Sequence, residues 1–320
     1  MASASLLDIA RLNNNDKVVG LIEENLKYSP EALTIPFRTI KGTSYRTGIR
    51  TALPTTGFRN ANEGQAAGSS TFRNQIVEAF IFGGVIKADK AVADAYEDGA
   101  NAWKALEASG VMQSALRKIG AQTWYGVSTD SKGFPGLKAA TVAGSTTLAG
   151  DAITIDATGT TADTASSVYL IKAGTQDVQF IAGNNTAFEL GDFTEQLVAG
   201  PSASTEFMAY VAALTSWIGL QIGHENAARR IYNLTADSGK GLTDVLLARA
   251  MATFPIGHRP THIFMSRRSQ SQLQISRTVV LNGNGNVRPN QENLAPLPTT
   301  YDGIPIVATD SILNTDAINS

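Results

Sequence analysis

From Tyr45 to Leu53 the chain alternates strictly, with Tyr45, Thr47, Ile49, Thr51 and Leu53 in one set and Arg46, Gly48, Arg50 and Ala52 in the other. Period-two alternation with β-branched residues predicts a strand. A second strand is expected from Thr71 to Phe82 (TFRNQIVEAFIF), and the stretch between them, PTTGFRNANEGQAAGSS, is made of turn formers. Together they describe a long β-hairpin with a loose tip. A two-stranded hairpin is marginal in water on its own, so this one has to lie on something. It is also strongly basic. Between Pro36 and Gln75, Arg38, Lys41, Arg46, Arg50, Arg59 and Arg73 stand against the single acid Glu63, a net of +5.

Residues 1–36 read as an arm. Leu6, Leu7, Ile9 and Leu12, then Leu21, Ile22 and Leu26, form short helical patches broken by Asn13-Asn14-Asn15. They are too few to make a core. After the hairpin, the spacing of Trp103, Leu106, Leu116, Ile119 and Trp124 predicts a long helix over about 101–125. Gly99 separates it from a short helix at 88–98, and Gly110 inside it costs about 1 kcal/mol relative to Ala. Between residues 139 and 165, 20 of 27 residues are Ala, Thr, Gly or Ser. Between residues 139 and 200 there are seven acids and one Lys, a net of −6. Strands are expected at 168–171, 178–181 and 207–222. A helix follows from Leu242 to Phe254, stopped by Pro255, then a strand at 261–265, a capped helix from Ser266, the loop NGNGN at 282–286 and a last strand at 304–308.

Composition narrows the function classes. The formal net charge is −2, which lacks the basic excess of a protein built to grip nucleic acid. No cysteine is present, which excludes disulfides, thiolate nucleophiles and cysteine-ligated metals. No run of 18 apolar residues exists, and the first twenty residues lack the pattern of a signal peptide, so a soluble protein made inside a cell is expected.

Chemistry-bearing motifs are absent or incomplete. His258 and His262 have the spacing of a helical zinc pair, but Pro260 lies between them and no HExxH glutamate accompanies them. His224 reads as a structural hydrogen-bonding residue. There is no GxSxG elbow, and NGNGN completes no phosphate-binding fingerprint. Arg229-Arg230 and Arg267-Arg268 are pairs that can touch phosphate or merely end secondary elements. No catalytic, cofactor or metal residue is assigned. What stands out is an arm and a hairpin that need partners, and charge segregated between segments. These are features of a subunit that interlocks with copies of itself through heterologous contacts. Candidate contact residues are Arg46, Arg50 and Arg59 on the hairpin and Asp94 and Asp98 near the start of the long helix.

Several stretches, in order, resemble the major capsid protein of tailed bacteriophages, the Hong Kong ninety-seven type fold. LTIPFRTIKGTSYRTGIRTALPTTGFRNANEG (33–64) resembles the arm-to-hairpin passage. NAWKALEASGVMQSALRKIGAQTWYG (101–126) resembles the spine helix, and FPGLKAA (134–140) the segment after it. SSVYLIKAGTQDVQFIAG (166–183) and WIGLQIGHENAARRIYNL (217–234) resemble the long strands of the peripheral domain. DGIPIVATDSILNTDA (302–317) resembles the closing strand of the axial domain.

The resemblance implies an α+β fold with an N-terminal arm (1–36), an extended hairpin loop (37–88), a peripheral domain with the spine helix (89–235) and an axial domain (236–320). It implies a non-enzymatic shell subunit of an icosahedral phage head that encloses double-stranded DNA. The shell is expected to be built of hexamers and pentamers and assembled in the host cytoplasm. The implied partners are copies of itself, a separate scaffolding protein, a portal and weakly contacted DNA, with no membrane. The tract at 139–165 matches no family motif, and no Lys–Asn crosslinking pair is identified. Two other readings stand beside this one: an encapsulin-like nanocompartment shell, and an enzyme of unrecognised family.

Overall fold

The computed structural model describes residues 27–141, 154–185, 189–200, 205–277 and 295–318. The expected helical patches of the arm at 6–26, the NGNGN loop and residues 142–153 of the Ala/Thr/Gly tract lie outside the described residues. The described part opens with a one-turn helix α1 (Glu31–Thr34) and β1 (Phe37–Thr39), followed by the hairpin strands β2 (Ser44–Ala52) and β3 (Thr71–Glu78). These two pair antiparallel, Tyr45 opposite Val77 and Arg50 opposite Phe72, as a separate two-stranded sheet.

The expected second hairpin strand changes partner partway. Ala79 N–H donates to Thr43 O at 2.7 Å, and from there β4 (Phe80–Asp89) leaves the hairpin for another sheet. The covered positions slip by one residue there, from Val77 and Ala79 to Phe80 and Phe82, and the uniformly apolar AFIF run conceals the slip in the sequence. A short helix α2 (Lys90–Asp94) and Gly99, with φ +89°, lead into the long helix α3 (Ala100–Tyr125). Asp89 caps α2 by accepting from Ala91 N at 2.9 Å.

The first large sheet runs β1–β7–β10–β4, where β7 is Val178–Ala182 and β10 is Glu206–Ile222. Two short strands, β8 (Glu189–Leu190) and β9 (Thr194–Ala199), also pair with β10. The second sheet runs β13–β14–β12–β6–β11–β5: Thr300–Tyr301, Ile304–Ala308, His262–Met265, Ser166–Ile171, Ala228–Leu234 and Thr154–Asp156. Helices α5 (Asp244–Ala252) and α6 (Arg267–Ser276) pack on it, the one-turn helix α4 (Leu137–Ala140) having come between α3 and β5. Ser266 Oγ caps α6 by accepting from Ser269 N, and Thr243 caps α5.

The sheets divide the chain differently from the expectation of a boundary near residue 235. Strands β6 and β11 belong with β12 and β14 in the second sheet, although the sequence reading groups them with the long strands of the first. The chain therefore crosses between these sheets three times, from β4 by way of α3 to β5, from β6 to β7 and from β10 to β11. A fully buried run such as SSVYLI carries no alternation to reveal which sheet it joins.

One apolar cluster joins the two sheets. Trp124, at the end of α3, stacks on Tyr169 of β6 (centroids 4.8 Å apart) and lies against Phe264 of β12 (5.0 Å). A second cluster fills the space beneath α5 and α6, from Leu242 and Leu247 to Ile263 and Leu273. Of the stripe expected on the long helix, Trp103, Ile119 and Trp124 are buried and Leu106 packs partly against the Trp103 cluster. Leu116 does not follow: it is half-buried and belongs to none of the apolar clusters.

Candidate inter-subunit surface

Tyr45, Gln75 and a small apolar cluster anchor the hairpin at its root. Tyr45 Oη donates to Gln221 Oε1, and Gln75 Nε2 donates to Ile222 O at 2.9 Å, both on β10 or its end. Ile40, Val77, Ala79 and Ile181 form a small cluster there, with Tyr45 and Trp217 packed against it. A Cβ at Gly219 would stand 2.1 Å from Glu78 O, so glycine is what lets the root lie flat on β10. Burial pushes the Tyr45 phenol above its ordinary pKa, opposed by the Arg38 guanidinium 5.4 Å from its ring.

Beyond the root the ribbon is open on both faces. One face presents Arg46, Arg50, Phe72 and Ile76, with Arg46 opposite Ile76 and Arg50 opposite Phe72. The Arg50 guanidinium sits 5.5 Å from the Phe72 ring centre, yet Phe72 is still 64% exposed and Ile76 52%. At the tip, Arg59 Nη1 donates to Glu63 O at 3.0 Å, Asn60 N donates to Glu63 Oε2 at 3.1 Å, and Phe58 is fully exposed. The structure thus brings Arg46 and Arg50 together and leaves Arg59 apart. Among the described residues, none of the three forms an ion pair.

The acidic candidates lie on the body. Asp94 and Asp98 are exposed around the turn into α3. Asp94 accepts from Tyr210 Oη at 3.3 Å, and the Lys104 ammonium stands 3.6 Å from the centre of the Tyr210 ring. Lys90 and Glu195 pair nearby at 2.8 Å. This patch is therefore a mixed network of charges rather than a purely acidic one.

The arginine pairs are largely spent inside the fold. Arg229 is buried, donating to Thr253 O and Oγ1, Glu225 O, Ala228 O and Asn226 Oδ1, and desolvation holds its guanidinium below the ordinary value. Arg230 is buried between the Tyr169 and Tyr232 rings and donates to Ser167 Oγ. Arg268 donates to Asn314 O, Thr164 O and Leu234 O. Of the four, Arg267 alone is exposed.

One polar cluster escapes the sequence reading. Asp177, His224 and His258 converge, their ligand atoms within 4.8 Å of one another, where the sequence spacing had offered His258 with His262 instead. Three separate turns bring them together, so no spacing in the sequence signals it. The hydrogen bonds argue against a metal there. Asn226 N–H donates to His224 Nδ1 at 3.1 Å, which leaves the ring proton on Nε2, pointing at Asp177 Oδ1 2.7 Å away. A metal-ligating imidazole instead needs its second nitrogen protonated and donating. Lys172 Nζ fills the remaining space, 3.5 Å from Asp177 Oδ1 and 3.2 Å from His258 Nδ1. The arrangement is a self-satisfied polar knot at the crossing between the sheets.

Among the described residues no helix is long and apolar enough to cross a membrane. No curated protein matches the chain in sequence. Among solved structures, the chain is similar to bacteriophage Epsilon15 with a TM-score of 0.71 and 19% identity, covering 99% of this chain and 97% of that one. It is also similar to the bacteriophage JBD30 capsid, with a TM-score of 0.53 and 12% identity, covering 97% and 99%. The likeness shows the fold: α+β, of the Hong Kong ninety-seven type. The family model of the major capsid protein GP7 matches residues 15–319, nearly the whole chain, and with it the open hairpin finds its reason: the chain belongs to the GP7 family of major capsid proteins, shell subunits of the phage virion.

Proposed function

We propose that the hairpin of one subunit reaches over the body of its neighbour, fastened by the N-terminal arm (1–36), to build hexamers and pentamers of an icosahedral head around double-stranded DNA. In this reading residues 37–88 are the reaching loop, 89–235 the peripheral domain and 236–320 the axial domain at the capsomer centre, the last sharing its sheet with β5, β6 and β11. Arg46, Arg50 and Arg59 meet acids of the neighbour, Asp94 and Asp98 among them. A separate scaffolding protein and a portal complete the assembly, and the DNA is held only weakly by a near-neutral wall.

The observation that carries the reading is the β2–β3 ribbon, a separate two-stranded sheet whose Arg46, Arg50, Phe72 and Ile76 are uncovered. A ribbon of that kind has no stability of its own. A repeated heterologous contact covers it in every copy. The test is sedimentation and electron microscopy of the expressed protein, alone and with its scaffold. Shells or capsomers are expected, and they should be lost when the ribbon between residues 46 and 76 is replaced by a short turn. A ribbon-less variant that still forms normal shells overturns the reading.

A further inference from the structure

Two polar clusters meet on the turn that carries the chain from β6 to β7, residues 172–177. Lys172 and Asp177, at its ends, join His224, ahead of β11, and His258, in the turn before β12. A neighbour that can only donate fixes each ring. Asn226 N–H points at His224 Nδ1 from 3.1 Å, and the Lys172 ammonium lies 3.2 Å from His258 Nδ1. Both Nδ1 atoms therefore carry a lone pair, and both rings are neutral. A proton added to either ring lands on that nitrogen. It sets donor against donor at both contacts, and at His258 it also sets a second cation beside the first. A charged His224 keeps Asp177 and leaves Asn226 instead. The other charged groups next to the knot do not relieve this. Asp177 already serves His224 and Lys172, Arg259 pairs with Asp302, and Glu225 favours the Arg229 guanidinium that its carbonyl accepts from. His262 bonds Thr261 Oγ1 at 2.9 Å, and burial holds its imidazole below the ordinary value.

In the middle of the same turn, Thr175 O accepts from Gln179 Nε2 at 3.1 Å and from Gln221 Nε2 at 3.0 Å. These glutamines are register partners on β7 and β10, both buried, and Gln179 Nε2 also donates to Gln221 Oε1 at 2.6 Å. Tyr45 Oη, at the hairpin root, donates to that same Gln221 Oε1. The turn also lies directly on the end of β10. Gly223 N donates to Asp177 O at 2.8 Å, and a Cβ on Gly223 would run into Gln176 O. One turn thus carries the histidines on one side and the hairpin root on the other.

We infer that the knot is an acid-sensitive clasp on this turn, and that its opening loosens the hairpin root. Histidine is the side chain that changes charge between pH 5 and 8. With both rings neutral, the turn is held from outside by the Lys172–His258 contact and from inside by the two glutamines. In acid the outer support fails, Thr175 O is no longer pinned beside Gln221, and Tyr45 loses a fixed partner. Sensor and output are separate sites joined by one element with a closed and an open arrangement, so the coupling runs both ways. A tug on the hairpin also strains the histidines.

Hydrogen exchange of the unassembled full chain tests this, each amide being read as a protection factor so that the intrinsic effect of pH drops out. Two amides report: Asp177 N–H, which donates to Gly174 O within the turn, and Ala79 N–H, which donates to Thr43 O at the hairpin root. From pH 8 to pH 5 the wild type should lose protection about threefold or more at both. In His258→Asn, whose Oδ1 takes the place of Nδ1 and cannot be protonated, both losses should shrink, and they should vanish when His224→Asn is added. Tyr45→Phe should keep the loss at Asp177 and cut it at Ala79. His258 is exposed, so its variant leaves the fold intact and decides the sensor even where the double variant does not fold. Unchanged protection at Ala79 in the wild type overturns the inference, as does a full loss in His258→Asn. A loss at Ala79 that survives Tyr45→Phe undiminished overturns the relay. A loss of equal size at every amide, Phe264 in β12 included, is global unfolding and overturns the clasp.

Discussion

Glu31 Oε1 accepts a hydrogen bond from Trp124 Nε1 at 2.7 Å, tying the last part of the arm to the end of the long helix. Thr309 Oγ1 donates to the same oxygen, while Oε2 finds no hydrogen-bond partner among the described residues. Tyr28 N donates to Asp310 Oδ2 at 2.8 Å and Ser29 Oγ meets Ser311 Oγ at 2.8 Å. Three parts of the chain that are far apart in sequence thus meet at one buried carboxyl.

That carboxyl makes stability depend on pH. Burial raises the Glu31 pKa above its ordinary value, opposed by the hydrogen bonds from Thr309 and Trp124. A folded pKa above the unfolded one means its contribution is present in full below about 4.5, the ordinary value, and is lost as pH rises through the folded value. The loss is about 1.4 kcal/mol for each unit of elevation. Glu31→Gln can still accept from Trp124 and Thr309. Its denaturation midpoint should therefore lack this slope, and at pH 8 it should be at least as stable as wild type. Equal slopes for both proteins between pH 4 and 8 contradict the assignment.

The turn after the long helix tolerates no side chain. Gly126 adopts φ +55°, and a Cβ on Gly136 would stand 2.4 Å from Gly126 N and 2.8 Å from Gln122 O and Trp124 O, all backbone. Gly136→Ala should cost at least about 1–3 kcal/mol, the range for overpacked sites. Urea denaturation of the unassembled subunit measures it.

Two positions on the long helix should separate by burial. Ile119→Ala removes a residue 2% exposed in the cluster that joins the sheets and should cost about 2–5 kcal/mol. Leu116→Ala, on a half-buried side chain outside the clusters, should cost about half as much or less, since less area returns to water. Equal losses in thermal denaturation would mean that Leu116 is buried.

Charge reversal on the ribbon should separate folding from assembly. Arg50→Glu and Arg46→Glu should leave the subunit folded, because among the described residues neither arginine forms an ion pair. Both should slow shell formation followed by light scattering. Added salt should slow wild type in the same direction, since screening acts over about 8–10 Å at physiological ionic strength. Wild-type assembly rates for both variants at every salt concentration would make these charges irrelevant to docking.

The sequence discloses elements better than it discloses partners. The long helix, the cap at Ser266 and the last strand at Ile304–Ala308 stand where local spacing and capping chemistry put them, because those signals lie within a few residues of one another. Ala79 is different: the chain exchanges one β-partner for another there, and the apolar run AFIF hides the one-residue slip in which face is covered. Arg230 is also different, because a guanidinium lodged between two tyrosine rings looks, in sequence, like any surface arginine. Asp177, His224 and His258 meet only because three turns converge. The basic ribbon is legible because an alternating, charged hairpin cannot bury itself, and that incapacity is a local property.

Two of the chain's three crossings between the sheets lie side by side, which has a mechanical consequence. Bodies joined by a single linker pivot about it like a door on one hinge. Here two covalent strands, β6 to β7 and β10 to β11, run side by side across the junction, and the Trp124 ring is wedged against Tyr169 and Phe264 beside them. A pull on one half is divided between these two tethers and the connection through α3, and twisting is resisted by their separation. Pressure from within a filled head then stretches backbone along its length instead of levering a joint open.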